Sequence, residues 1–412
     1  MRLGDCGKTN LHTYSDKEKW SLIRYLDTGS ITEGRIDEIQ TLYPGVDKIP
    51  SRARRKASVG DILFSTVRPN QKHYGIIEAG TENLLVSTGF TVVTVDTTIA
   101  DPYFIYYYLT QSSVIESLQA IAEQSTSTYP SIKPSDIEDI ELDLPELETQ
   151  KKIGSTLRML DRKIALNEEI NDNLEQQARL LYDYWFTQFD FPDENGEPYR
   201  SSGGKMVWNE QLKRTIPDGW TTNHLSDIFT FKSGYSFSSD LYEVSGKYKL
   251  LTIKNVQNNG INLNVDNYIN VLPDNVPDYC LLKAKDILMS LTGNVGRVGI
   301  MYADNCLLNQ RVALAEPVNI NQQVFVYFLL KSDIIHKQYE MIANGSSQQN
   351  LSPIEAEKVI IAYNPEVATK FSTLCNEYLN TIVSNLAENQ ELINIRDWLL
   401  PMLMNGQATI ND

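Results

Sequence analysis

Apolar side chains recur at alternating steps of four and three through the middle of the chain: Ile153, Leu157, Leu160, Ile164, Asn167, Asn171, Leu174, Ala178, Leu181 and Trp185. This is a heptad seam, apolar apart from two asparagines at its centre, and it predicts one long helix with a single buried stripe. No proline falls between 153 and 185, while Pro145 precedes the stretch and Pro192 follows it. The same walk near the C-terminus passes Phe371, Cys375, Tyr378, Ile382, Asn385, Asn389, Leu392, Arg396, Leu399 and Leu403, with asparagines on the same two steps. Matching seams predict that the helices pack as an antiparallel coiled coil spanning about 50 Å, at 1.5 Å per residue. Asn167, Asn171, Asn385 and Asn389 are expected to pair across its middle, where buried polar residues cost stability but pin the register; partial exposure at a loose centre is the alternative. Arg396 stands where the first copy has Ala178, which predicts an end facing solvent or a partner.

The stretches before each helix show strand-like patterning. Apolar runs at 21–25, 61–67 and 84–95 are punctuated by glycines, and a helix is expected from Pro102 to about Ala122. These landmarks return later at a nearly constant offset. Leu3-Gly-Asp5 is matched by Leu225-Ser-Asp227, and Asp61-Ile-Leu-Phe-Ser65 by Asp286-Ile-Leu-Met-Ser290. Phe104-Ile-Tyr-Tyr-Tyr-Leu109 is matched by Phe325-Val-Tyr-Phe-Leu-Leu330, and Ile132-Lys-Pro-Ser-Asp-Ile137 by Leu351-Ser-Pro-Ile-Glu-Ala356. The chain reads as a tandem duplication of one block-plus-helix unit. The expected class is α+β: two mixed α/β domains separated by two long helices, with pseudo-two-fold symmetry. The expected boundaries are 1–145 for the first domain, 146–190 for the central helix, 191–215 for an exposed linker, 216–364 for the second domain and 365–412 for the C-terminal helix. The strand landmarks match, but the segments between them do not, as two readers of different targets on one scaffold would require.

Composition is ordinary for a globular chain of 412 residues, with 42% hydrophobic and 22% charged positions. The net charge of −16 argues against nucleic acid only on average, because binding depends on where positive charge lies. Between residues 48 and 73 the chain carries seven lysines and arginines against one acid, Asp61. No apolar run approaches the roughly 18 residues of a membrane span and no signal peptide opens the chain, so a cytoplasmic location without membrane contact is expected. The four cysteines, Cys6, Cys280, Cys306 and Cys375, have no metal-binding spacing, and free buried thiols are expected. Gly7-Lys8-Thr9 lacks the first glycine of a phosphate loop, and Gly293-Asn-Val-Gly-Arg-Val-Gly299 resembles one only in its glycines. The four histidines have no partnered acid or cysteine nearby in sequence, so no catalytic or metal site is expected.

The chain resembles the specificity subunit of type I restriction–modification systems over essentially its whole length. The residues carrying the resemblance are Leu144-Pro-Glu-Leu-Glu-Thr-Gln-Lys-Lys-Ile153, Leu181-Tyr-Asp-Tyr-Trp-Phe186, Phe191-Pro-Asp-Glu-Asn-Gly196, Gly203-Gly-Lys-Met-Val-Trp-Asn209, Ile216-Pro-Asp-Gly-Trp220 and Gly345-Ser-Ser-Gln-Gln-Asn350. The resemblance implies two target-recognition domains, each reading half of a bipartite site in double-stranded DNA across a spacer set by the coiled coil. It also implies two modification subunits that methylate adenine with S-adenosylmethionine, and two translocating restriction subunits; ATP and Mg are expected in the partners and no cofactor in this chain. One departure is that the stretch before the second helix, Tyr363-Asn-Pro-Glu-Val-Ala-Thr369, lacks the Leu-Pro of the first, so unequal docking surfaces are expected.

Arginine and lysine suit guanine and phosphate, and asparagine and glutamine suit adenine. The candidate contacts in the first domain are Arg52, Arg54, Arg55 and Lys56 for the backbone and Arg68, Lys72 and His73 for bases. In the second domain they are Lys254, Asn255, Thr292, Asn294, Arg297, Asn309, Gln310 and Arg311, with Ser347, Gln348 and Gln349 in the loop resembling the family's. For each, an ordinary solvated position is the alternative. A coiled-coil interaction scaffold with two ligand-binding domains would explain the acidity but not the basic cluster. A nuclease would have only Asp161-Arg-Lys163 for a metal.

Overall fold

The computed structural model describes the chain except residues 81, 126–128, 258–259, 344–348 and 411–412. The chain divides into two compact units, Met1–Ile164 with Leu392–Asp412, and Ala165–Glu391. Each unit therefore contains one mixed domain together with a portion of both long helices.

In the first unit one sheet has the order Gly7–Thr9, Phe90–Val95, Ile62–Ser65, Tyr74–Ile76, all antiparallel. A second has the order Gln40–Leu42, Ile23–Leu26, Leu84–Ser87, Ala53–Lys56, and only its central pair is parallel. The second unit repeats both. Its first sheet runs Phe229–Ser233, Val312–Pro317, Ile287–Ser290, Val298–Ile300, again all antiparallel. Its other sheet runs Tyr268–Ile269, Tyr248–Leu251, Cys306–Leu308, Leu281–Leu282, with a parallel centre. Identical order and identical strand senses carry the duplication from sequence into topology.

Ile62–Ser65 is buried at every position because both faces are covered. Ile62 and Phe64 face a core shared with Phe104, Ile105 and Leu109, whereas Leu63 lies in another with Phe90 and Val92. The helix expected from Pro102 to about Ala122 is two helices, Pro102–Leu109 and Ser112–Glu123. Gln111 takes an extended conformation between them and starts the second at a new angle. Asp101 caps the first, accepting from the Phe104 N–H at 2.9 Å. A Cβ on Gly154 of the central helix would lie 2.5 Å from that Asp101 carboxylate, so glycine lets the long helix dock on the cap. In the second unit the equivalent N–H, of Phe325, is met by Ser372 Oγ from the C-terminal helix at 3.0 Å.

The long helices are Leu147–Tyr182, continued by a wider turn through Asp183–Thr187, and Pro365–Met404. They pack antiparallel within each unit. In the second unit Asn167 Nδ2 donates to Asn389 Oδ1 at 2.8 Å and to Glu388 Oε2 at 2.7 Å, and Asn385 Nδ2 donates to Asn171 Oδ1 at 2.9 Å. In the first unit Arg396 is engaged by the central helix. Its Nη1 pairs with Asp161 Oδ1 at 2.9 Å, and Asp161 also accepts from Tyr107 O–H at 2.6 Å. Burial alone would lower the Arg396 pKa, but Asp161 and Asp397 hold it above the ordinary arginine value. The guanidinium thus completes the seam as half of an ion pair. Arg396→Ala leaves Asp161 partly buried without its counter-charge, and a loss of about 1–3 kcal/mol is expected. Thermal unfolding would show it, with Asp161→Asn in the same background recovering part; an unchanged Tm in Arg396→Ala would show the pair to be idle.

The segment 191–215, expected as an exposed linker, is mostly exposed but anchored and partly structured. Phe191 is buried, with its ring stacked on Tyr199 at 4.8 Å and against Trp220 at 5.2 Å. Met206–Asn209 and Arg214–Pro217 then form an antiparallel hairpin. Its polar composition concealed a few aromatic anchors, which tie its first part to the core. All four cysteines are buried and free. No helix among the described residues is long and apolar enough to cross a membrane.

Candidate nucleic-acid interface

In the first unit the basic strand Ala53–Lys56 is flanked on one side by Leu84–Ser87 and on the other by residues 12–14, through Tyr14 N–H to Arg54 O (2.7 Å) and Lys56 N–H to His12 O (3.0 Å). Its side chains have different fates. Arg52 is exposed, and Arg54 is half-buried. Arg55 has a buried Nη1 without a hydrogen-bond partner among the described residues, and burial pushes its pKa below the ordinary arginine value. Lys56 pairs with Glu18 at 2.5 Å and lies over the Trp20 ring.

The next loop begins at Thr66, whose N–H donates to Gly89 O at 2.8 Å and whose carbonyl accepts from Ile132 N–H at 2.9 Å. Arg68 follows, exposed, with its guanidinium 5.1 Å from the Tyr129 ring centroid. Lys72 is ion-paired with Glu33. His73 Nδ1 lies 2.7 Å from Ile31 O, a contact in which the ring must donate, so it fastens the loop to its base. The basic run is therefore less positive in space than in sequence. Glu18 and Glu33, remote along the chain, neutralise two lysines, and Arg52 and Arg68 carry the exposed charge of the loop region.

The second unit uses the same frame. Leu291 N–H donates to Arg311 O at 3.1 Å, and Leu291 O accepts from Leu351 N–H at 2.8 Å. Those bonds gather three of the expected groups, the loop 292–297, the tip 309–311 and the strand Gln349–Asn350. Thr292–Gly293 pairs with that strand, and Thr292 Oγ1 donates to Asn350 Oδ1 at 3.0 Å. The Asn294 amide oxygen accepts from Arg297 Nη2 at 2.6 Å and Nη1 at 3.3 Å in the orientation that satisfies both groups. Ser290 Oγ ties the loop closed, donating to Asn294 O and accepting from Arg297 N–H. Gln310 and Arg311 are exposed at the tip, and Asn309 is half-buried, with its N–H on Leu251 O.

Two expected contacts are placed differently. Asn255 is buried, and its amide is consumed internally: Oδ1 accepts from Thr252 N–H and O–H, and Nδ2 donates to Asn262 O and Asn264 O. It shapes a turn rather than offering an edge to a base. Lys254 is exposed but held by Asp266 at 2.8 Å. Ser347 and Gln348 lie outside the described residues, as does the side chain of Gln349.

The structure adds residues that the sequence did not single out. Thr88–Gly89 is the first unit's counterpart of the 309–311 tip, Tyr129 lies under Arg68, and Asn350 meets Thr292. The repeat itself carried the signal for two of them. Aligning Ile132 with Leu351 and Phe90–Val95 with Val312–Pro317 brings the tips and the 131/350 positions into register.

Comparison with known proteins covers most of the chain. A family model described as the type I restriction modification DNA specificity domain matches residues 53–176 and 217–363. The HindI specificity subunit of Haemophilus influenzae is 26% identical, covering 98% of each chain. The MjaIX specificity subunit of Methanocaldococcus jannaschii is also 26% identical, over 86% of this chain and 78% of that protein. Among solved structures, a type I restriction-modification S subunit from M. genitalium shares the fold with a TM-score of 0.56 at 20% identity, covering 98% of this chain and 95% of that one.

Proposed function

The chain belongs to the type I restriction–modification DNA specificity family, and on that premise we propose that it is the non-catalytic subunit that selects the DNA sequence. Each unit reads one half of a bipartite site, and the helix pair sets the length of the unread spacer. The observation that carries this reading is the repeated hydrogen-bonded frame with unlike loops. Thr66 and Leu291 sit between equivalent partners, yet the loops they open present Arg68 in one unit and Asn294 with Arg297 in the other. Rigid strands with variable loops give specificity without altering the scaffold.

Two modification subunits using S-adenosylmethionine and two restriction subunits using ATP and Mg would complete the assembly, working in the cytoplasm. The chain's share of the work is to bind duplex DNA and to present one sequence to those partners. Co-expression with the modification subunit of its system, in a host without other adenine methylation, is expected to yield methylated adenines in a single bipartite motif. Random or absent methylation would sink the reading.

Binding by the assembled complex should depend steeply on salt, because arginines and lysines displace counterions from phosphates. With six or more phosphate contacts, affinity falls about a thousandfold between 50 and 200 mM salt. Fluorescence polarisation over that range checks it, and a flat response would mean that few phosphates are neutralised.

A further inference from the structure

We propose that Arg68, braced by Tyr129, reads a guanine in the half-site of the first unit. The inference rests on the DNA-reading function above and assigns one side chain and one base within it.

Arg68 differs from three other cations of its region. Lys56 and Lys72 are held by Glu18 and Glu33, and Arg55 is partly buried. Arg68 is exposed and makes no ion pair among the described residues. In a chain of net charge −16, an arginine kept clear of acids is available for an external acceptor. Its guanidinium lies over the Tyr129 ring, 5.1 Å from the centroid, and the ring is itself 56% exposed. Stacking on an aromatic face restrains the guanidinium while leaving N–H groups at its edge for a bidentate contact.

The backbone beneath is equally restrained. Arg68 N–H donates to Pro130 O and Arg68 O accepts from Gln71 N–H, each at 2.9 Å. Val67 bridges to Ser131. Arg68 has φ +49° directly before Pro69, a left-handed conformation that a non-glycine residue adopts only where its surroundings hold it there. The neighbouring tip lies alongside, since Thr66 N–H meets Gly89 O and Thr88 N–H meets Arg52 O. Arg52 is thus set to hold phosphate beside the loop. A restrained guanidinium fork matches the O6 and N7 acceptors of guanine in the major groove, the commonest specific arginine contact.

The test uses the complex of this chain with its modification subunit and duplexes carrying 7-deazaguanine, which lacks N7, one position at a time. For the unaltered complex, one position in the half-site of the first unit should lower the methylation rate about three- to tenfold, the share of one of the two hydrogen bonds in a bidentate contact. In Arg68→Ala that position should become insensitive, and methylome sequencing should show the base there relaxed while the second half-site stays intact. Tyr129→Ala should keep the motif but weaken discrimination at the same position. If Arg68→Ala slows all duplexes equally and leaves the motif unchanged, Arg68 is a phosphate contact and the proposal fails. Intact methylation of the second half-site by the variant verifies its fold. If the unaltered complex methylates no defined motif, it is the DNA-reading function that fails instead.

Discussion

Inserting one heptad into each long helix is expected to lengthen the spacer of the methylated motif by about two or three base pairs and to leave both half-sites unchanged. Seven helical residues add about 10 Å, and B-DNA rises about 3.4 Å per base pair along one strand. The insertions belong after Asn171 in the central helix and before Asn385 in the C-terminal helix. In an antiparallel pair those points face one another, so the bonds of Asn167 to Asn389 and of Asn385 to Asn171 both survive, together on one side of the insertion. A heptad turns the seam by only about 20°, and the apolar stripe stays in register. Three extra base pairs rotate one half-site about the DNA axis by much more, so the lengthened complex must strain the DNA and should bind about tenfold or more weakly. Methylome sequencing decides the matter. Altered half-sites at the old spacing would show that the helices do not measure distance. An insertion in one helix alone should break the seam and abolish methylation.

The largest expected loss of stability comes from Phe371→Ala. Phe371 is fully buried in the second unit, where its ring centroid lies 5.5 Å from Phe186, 5.9 Å from Tyr182 and Trp185, and 6.1 Å from Phe328. It is where the C-terminal helix meets both the central helix and the helix Gln323–Leu330, so no single neighbour can relax into the space. Truncation should cost about 3–5 kcal/mol, a fall in Tm on the order of 10 °C for a unit of this size. Leu374→Ala, on the same helix but 56% exposed, should change stability by less than about 0.5 kcal/mol. Hydrogen exchange would localise the effect, with faster exchange in Gln323–Leu330 and little change in Pro102–Leu109. Equal melting of the two variants would mean that the aromatic cluster is not the keystone described.

Much of the architecture was legible in the chain because it rests on periodicity. The seam positions from Ile153 to Trp185 and from Phe371 to Leu403 are buried or half-buried throughout, since a stripe recurring every three and four residues has only one way to be covered. The repeat was legible because the strands Ile62–Ser65 and Ile287–Ser290 are buried on both faces, which restricts them to similar apolar residues. The loops were not, because exposed positions obey no period. The run from Lys48 to His73 looked uniformly basic, but a linear count cannot see Glu18 and Glu33, which arrive from a short helix and a turn earlier in the chain. Asn255 looked like an adenine reader until its amide was found to be occupied by Thr252, Asn262 and Asn264.

The sequence by itself determined the duplication, the two long helices and the family to which the chain belongs. These follow from local pattern and from the order of motifs, and both are properties of the chain as written. Only the tertiary structure decided that Arg396 closes an ion pair with Asp161, that Phe191 and Tyr199 anchor the start of the linker, and that Arg68 stands clear of acids over Tyr129. Each depends on residues distant in the chain meeting at a few ångströms. Charge pairing, burial and stacking act through that separation, and sequence order does not contain it.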